Sequence, residues 1–149
     1  MPLSQLDTER VRGWIERATN RLDGAAVAAS RTDIEEGEFD NNFDGIVSAI
    51  FHIVDAVELV RTGVHRRAGE DEQATVIRSV VLMLNAEGIP GVPAAMRLIG
   101  LNAKRNTSVH GHWTEVLDRD ALDDAIVAAR QLLRSASTYI ERQGVSLPG

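Results

Sequence analysis

Between Lys104 and Trp113 the chain reads Lys-Arg-Asn-Thr-Ser-Val-His-Gly-His-Trp. Few runs this short collect cations, an amide, hydroxyls, imidazoles and an indole together. Guanidinium and amide groups bind oxyanions, and imidazole moves protons near neutral pH. The run sits inside a wider window, Gly88 to Thr114, that contains Arg97, Lys104, Arg105, His110 and His112 but no acid. With neutral histidines that window carries +3, whereas the whole chain carries 16 − 22 = −6 and the remainder therefore 13 − 22 = −9. The overall acidity argues against a general nucleic-acid-coating surface, but a polyanion can be held locally at the window. The plain alternative is a polar helix end or turn.

Spacing refines the picture. On a regular helix Asn106 and His110 share a face, while Arg105 and His110 stand about 140° apart. Arg105 reaches the same ligand through its long side chain, through a helix break, or from a second copy of the chain. In the last case two windows meet across a two-fold axis and form one positive cleft.

The elements that must position this stretch are helical. Aromatic residues make up only 4% of the 149, β-branched alternation is absent, and apolar residues recur at helical spacing. Val11, Ile15, Ala18, Leu22, Ala25 and Ala29 form one face of a first helix, with Ser4 or Asp7 as its N-cap. Arg31 to Asp40 reads as an acidic connection. A second helix, from about Asn42 to Thr62, carries a narrow polar stripe of Asp44, Ser48, His52, Asp55, Glu58 and Thr62. Nearly all its remaining circumference is apolar, more than the roughly 100° arc of a surface helix. It is expected to be central to the bundle and also to face a second subunit. Gly63 to Gly69 makes a basic turn. A third helix follows from about Asp71, burying Val76, Ile77, Val80, Val81 and Leu84, and it stops within the Gly- and Pro-containing Asn85–Pro93 segment. Pro93 opens a short fourth helix. The last begins near Asp118, with Leu117 stapled on Leu122. It buries Leu122, Ile126, Ala129, Leu133, Ala136 and Ile140 and ends at Gly144. The expected fold is all-α, an antiparallel four- to five-helix bundle forming a single domain over residues 1–149.

Several classes are excluded or disfavoured. The chain has no cysteine, which removes disulfides, thiolate metal sites and cysteine nucleophiles. No apolar run approaches the roughly 20 residues needed to span a bilayer, and Met1 to Arg12 lacks the apolar stretch of a signal peptide. A cytoplasmic protein without membrane attachment is expected.

At Arg105-Asn106-x-x-x-His110 the sequence resembles the R-N-x-x-x-H form of the motif in HEPN-domain ribonucleases. The longer run through Val109, Gly111 and Trp113 is similar to the HepT-like toxin branch, with Leu98-Ile99-Gly100 upstream also reminiscent. The motif resemblance covers about 15 residues, beyond which only helix order and the motif's place before the last helix agree. It implies a dimer with a composite active site in its cleft, cleaving RNA without metal or cofactor. It further implies a toxin or defence effector restrained by a cognate antitoxin. In that chemistry a 2′-OH attacks the adjacent phosphorus with His110 as base. Arg105 stabilises the charge on the phosphate oxygens, and Asn106 positions the phosphate or the ring. Arg97, Lys104, His112 and Trp113 would contact RNA, Trp113 by stacking on a base. One departure matters: the toxin branch has a tyrosine two residues after the histidine, where a partner nucleotidyltransferase attaches AMP. Here that residue is His112, which has no phenol to modify. The rival reading keeps the HEPN-like helical module but has it bind nucleotide, RNA or a protein without cleavage.

Other patterns carry less. Asp40-x-Asn42-x-Asp44-Gly45 matches half of a calcium loop, but the twelfth position is Phe51 instead of a bidentate Glu. Its acids are better explained as the cap and first turn of the second helix. His110-x-His112 lacks a third metal ligand at diagnostic spacing. His52 is expected to be half-exposed on its stripe, and Trp14 to be a partly buried anchor.

Overall fold

The computed structural model describes residues 3–31, 36–64, 82, 84–85 and 119–147. Over these residues the protein is all-helical, with no strand. Three helices are complete: α1 Gln5–Ala29, α2 Glu36–Thr62 and α3 Arg119–Arg142. Each packs on the other two.

α1 starts where its first-turn donors find an acceptor. Ser4 adopts an extended conformation and its Oγ accepts from the Asp7 N–H at 3.1 Å, satisfying a donor that has no partner within the helix. Of the two expected caps, Ser4 is the one used. The buried row is Val11, Ile15, Ala18, Leu22, Ala25 and Ala29, as the periodicity predicts. Trp14 is partly buried against this core.

α2 begins earlier than the sequence pattern suggests. Its first residue is Glu36, so part of the expected acidic connection is helix, and Asp40 to Asp44 lie within the helix instead of capping it. A helical backbone from Asp40 to Gly45 also removes the half-match to a calcium loop. The other end follows expectation. Gly63 has φ +73° and donates its N–H to the Leu59 carbonyl at 2.8 Å, a left-handed cap that an L side chain resists.

The wide apolar arc of α2 is used within one chain. Ile46, Val47, Ala49, Ile50, Ile53, Val54, Ala56, Val57 and Leu59 are all buried, and Phe51 and Val60 are partly so. Centrality explains the arc without invoking a second subunit. Exposed large apolar side chains lie elsewhere among the described residues, at Leu6, Val27, Val64, Leu82 and Val127.

α3 buries more than the expected row. Leu122, Ile126, Ala129, Ala136 and Ile140 are inside, but Leu132 is fully buried where Leu133 is only partly so. Ala125, Ala128, Ser135 and Tyr139 are buried as well. Packing on two helices at once rotates and widens the face beyond a single stripe. Gly144, at φ +92°, donates to the Glu141 carbonyl, and Val145 N–H donates to that of Ile140. This is a Schellman end, with Val145 folded onto the core. Leu84, in a helical segment with Leu82 and Asn85, is fully buried in the same core. It is the one residue of the expected third-helix face that falls among the described ones; Val76 to Val81, the fourth helix, Leu117 and Asp118 lie outside them.

Long-range polar ties fix the directions. Arg130 on α3 meets Asp23 of α1 at 3.0 Å, and Arg12 Nε donates to the Ser146 carbonyl at 2.7 Å. α1 therefore runs opposite to α3, whose N-terminus lies toward the end where α1 finishes. No helix among the described residues is long and apolar enough to cross a membrane.

Candidate functional site

The sequence-predicted site residues Arg97, Lys104, Arg105, Asn106, His110, His112 and Trp113 all lie outside the described residues. What the structure supplies is the frame they adjoin in sequence. α3 begins at Arg119, and Leu122 in its first turn is buried in the core. Among the described residues no group of three or more His, Asp or Glu side chains is placed to hold a metal ion.

Within the described bundle one polar constellation stands out, at the seam between α1 and α2. His52 is half-buried on the polar stripe of α2, as the spacing predicts. Its Nε2 is fully enclosed and has no hydrogen-bond partner among the described residues. Burial, together with the positive charges of Arg21 and Arg17, holds the imidazole below its ordinary pKa. The ring is therefore neutral near pH 7. Arg17 and Arg21 stand one turn apart on α1, exposed.

Sequence reasoning placed His52 on its stripe but missed the two arginines. The available signal was their position: Arg17 and Arg21 each precede a core residue, Ala18 and Leu22, and so sit at the margin of the buried row. Which helix faces that margin is a tertiary fact, and the sequence pattern does not contain it.

A concavity of about 340 Å³ opens at the end of the bundle where α1 begins and α2 and α3 finish. Residues from Thr8, Thr62, Gly63, Gln143 and Gly144 line it, with Arg61 alongside. Its polar groups are largely satisfied internally. Thr8 Oγ1 donates to the Ser4 carbonyl, Thr62 Oγ1 to that of Glu58, and Arg61 pairs with Glu58 at 2.8 Å. Nothing in this arrangement selects a ligand.

The described residues are thus helical, and His52 Nε2 is the one buried polar side-chain atom among them without a partner. Comparison of the chain with protein-family models, with curated proteins and with solved structures finds no match.

Proposed function

We propose that the protein is a metal-independent endoribonuclease of HEPN-like, four- to five-helix architecture. It works in the cytoplasm as a homodimer with a composite cleft, as a toxin or defence effector under the control of a cognate antitoxin. The observation that carries this reading is Arg105-Asn106-x-x-x-His110, set in the acid-free Gly88–Thr114 window before the final helix. The all-helical bundle that receives that final helix is compatible with it.

In the proposed reaction His110 takes the proton of an RNA 2′-OH. The 2′-oxygen forms a bond to the adjacent phosphorus while the bond to the 5′-oxygen breaks, and that oxygen takes a proton from water. Arg105 offsets the charge gathering on the non-bridging oxygens, and Asn106 orients the phosphate. The products carry 2′,3′-cyclic phosphate ends. Requirement for the 2′-OH selects RNA over DNA.

The rival, a non-catalytic helical module that binds nucleotide, RNA or a protein, is favoured by two observations. The chain is acidic overall, and His112 stands where the toxin branch has its modifiable tyrosine. The deciding experiment compares wild type with Arg105→Ala and His110→Ala on tRNA and mRNA in EDTA. Cleavage by wild type, reduced about 10²–10⁴-fold in the variants and leaving cyclic phosphate ends, supports the enzyme. Equal background from all three proteins overturns it on those substrates.

A further inference from the structure

We propose that the outer face of α3 is a contact surface for a second copy of the chain, laid antiparallel across it about a two-fold axis at Val127. None of the residues involved belongs to the Arg105–His110 stretch, and the axis lies two turns beyond the start of α3. The contact is therefore additional to the proposed catalytic cleft, and its failure leaves that reading untouched.

The first observation is how α3 distributes its charge. Asp120, Asp123, Asp124, Arg130 and Arg134 are exposed, and helix geometry sets all five within about 60° of Val127. Val127 is itself 56% exposed. From Asp120 to Arg134 every acid of this strip precedes Val127 and every base follows it. Asp120 and Asp124 stand four apart, as do Arg130 and Arg134, so each half sets like charge beside like, which weakens a helix. Alternating signs would serve a merely solvated face better. The helix dipole favours acids in the first turn and bases in the last, but its effect fades within a turn. Arg130 and Arg134 lie two turns or more before the last residue, Arg142, and gain little from it.

The second observation is that the strip finds little compensation within its own chain. Arg130 meets Asp23 of α1 at 3.0 Å, both side chains being exposed. The other four charges form no ion pair or hydrogen bond among the described residues. Arg130 has five guanidinium donors, so it can also take a second carboxylate.

An antiparallel copy turns this segregation into complementarity. A two-fold axis crossing α3 at Val127 sets residues equally far before and after Val127 opposite one another. Val127 then meets its own counterpart, and Asp120 faces Arg134 of the partner subunit. The flanks agree too, because such an axis brings the same flank of both helices together. Asp123 and Arg130 share one flank and lie at facing levels; Asp124 and Gln131 do the same on the other. Each pairing occurs twice by symmetry. A parallel copy would set Asp on Asp and Arg on Arg. The strip is about 21 Å long and one helix wide, so the contact is small and its charge pairs are weakened by salt.

The test is sedimentation velocity of the full chain over a concentration series at low and high salt. Wild type should self-associate at low salt and dissociate as salt rises. Asp120→Arg and Arg134→Asp each place like charges across the axis and should weaken association roughly tenfold or more. Asp120→Arg/Arg134→Asp in one chain restores opposite charges and should recover it. The two positions are too far apart on α3 for that rescue to arise within one chain. Both are exposed, and circular dichroism verifies that the helices persist. The chain has no cysteine, so Val127→Cys supplies a second readout. It should form a disulfide-linked dimer on mild oxidation, whereas Val27→Cys, at an exposed position of α1, should not. The proposal is overturned if wild type stays monomeric at low salt, if the single reversals leave its association unchanged, or if the double variant fails to recover it. It is equally overturned if Val127→Cys cross-links no faster than Val27→Cys. A dimer that survives both reversals belongs to another face, and it overturns this contact without touching the proposed cleft.

Discussion

α1 and α2 pack against each other but bury themselves in different ways. α1 commits one row of side chains, Val11 through Ala29, and leaves the opposite face to water. α2 buries residues around most of its circumference, because α1, α3 and the segment carrying Leu84 all share its core. The difference decides where polar chemistry can sit. On α1 a charged side chain can occupy any position outside the row, and can turn toward solvent. On α2 polar residues are confined to a strip with apolar neighbours on both sides, and a ring there cannot turn away from what packs on it. His52, with one nitrogen enclosed, shows the consequence. The seam between a helix buried nearly all round and one buried on a single side leaves a constrained imidazole within electrostatic reach of two exposed arginines, Arg21 and Arg17.

The strongest way to break this comparison is to truncate each kind of surface. Ile53→Ala on α2 and Leu22→Ala on α1, both fully buried, should each lower unfolding free energy by about 2–5 kcal/mol in urea titrations. Val27→Ala, at a position 68% exposed on α1, should stay within about 0.5 kcal/mol of wild type. Extending the series around α2 to Ala49→Gly and Val57→Ala should find losses on every side except the polar strip. A circumference that tolerates truncation over half its width would show that α2 is not central.

Smaller effects come from the glycines, which sit in two opposite situations. Gly63 ends α2 in the left-handed region, at φ +73°, so Gly63→Ala should cost about 1–2 kcal/mol. Gly24 lies within α1, exposed, with no atom within 4 Å of the place a Cβ would take. Gly24→Ala should therefore stabilise by about 0.5–1 kcal/mol. Thermal melts of the two variants should move in opposite directions. If Gly24→Ala lowers the midpoint instead, the outer face of α1 meets something in solution that a methyl group obstructs.

The features these variants address differ in how far the sequence reveals them. The buried row of α1 was legible residue by residue, since a helix packing on one side leaves a regular 3–4 spacing. α3 was legible only in part, since Leu132 takes the place expected of Leu133 and Ala125, Ala128, Ser135 and Tyr139 are buried too, because contact with two neighbours rotates and widens the buried face. The ends at Gly63 and Gly144 were legible because left-handed backbone demands glycine. The start of α2 was not: the acid-rich, glycine-containing run before Asn42 resembles a loop by composition, yet the helix already begins at Glu36. For the seam, the stripe containing His52 could be read from its period, but Arg17 and Arg21 could not be joined to it. Periodicity identifies a face, whereas the neighbour of that face is set by packing between helices. The stretch from Arg105 to His110 is legible as chemistry alone, through its residue types and spacing.

The last and smallest effect concerns pH. The folded state holds His52 below its ordinary pKa, first by burial and then by Arg21 and Arg17. Above the ordinary imidazole range the ring is neutral in both folded and unfolded chains and contributes no slope. As pH falls below that range, the unfolded chain takes up a proton that the folded one resists, so stability declines with falling pH until the lowered folded pKa is passed. His52→Gln should remove this part of the decline below the ordinary imidazole range, measured as unfolding free energy at successive pH values. Arg21→Gln should remove only the smaller, electrostatic share, and added chloride should mimic it by screening. Burial is unaffected by salt, so a residual decline should persist in both. Should salt abolish the decline entirely, the arginines and not the enclosure of the ring would be what keeps His52 neutral. The contrast between the constrained strip of α2 and the free face of α1 would then rest on charge alone.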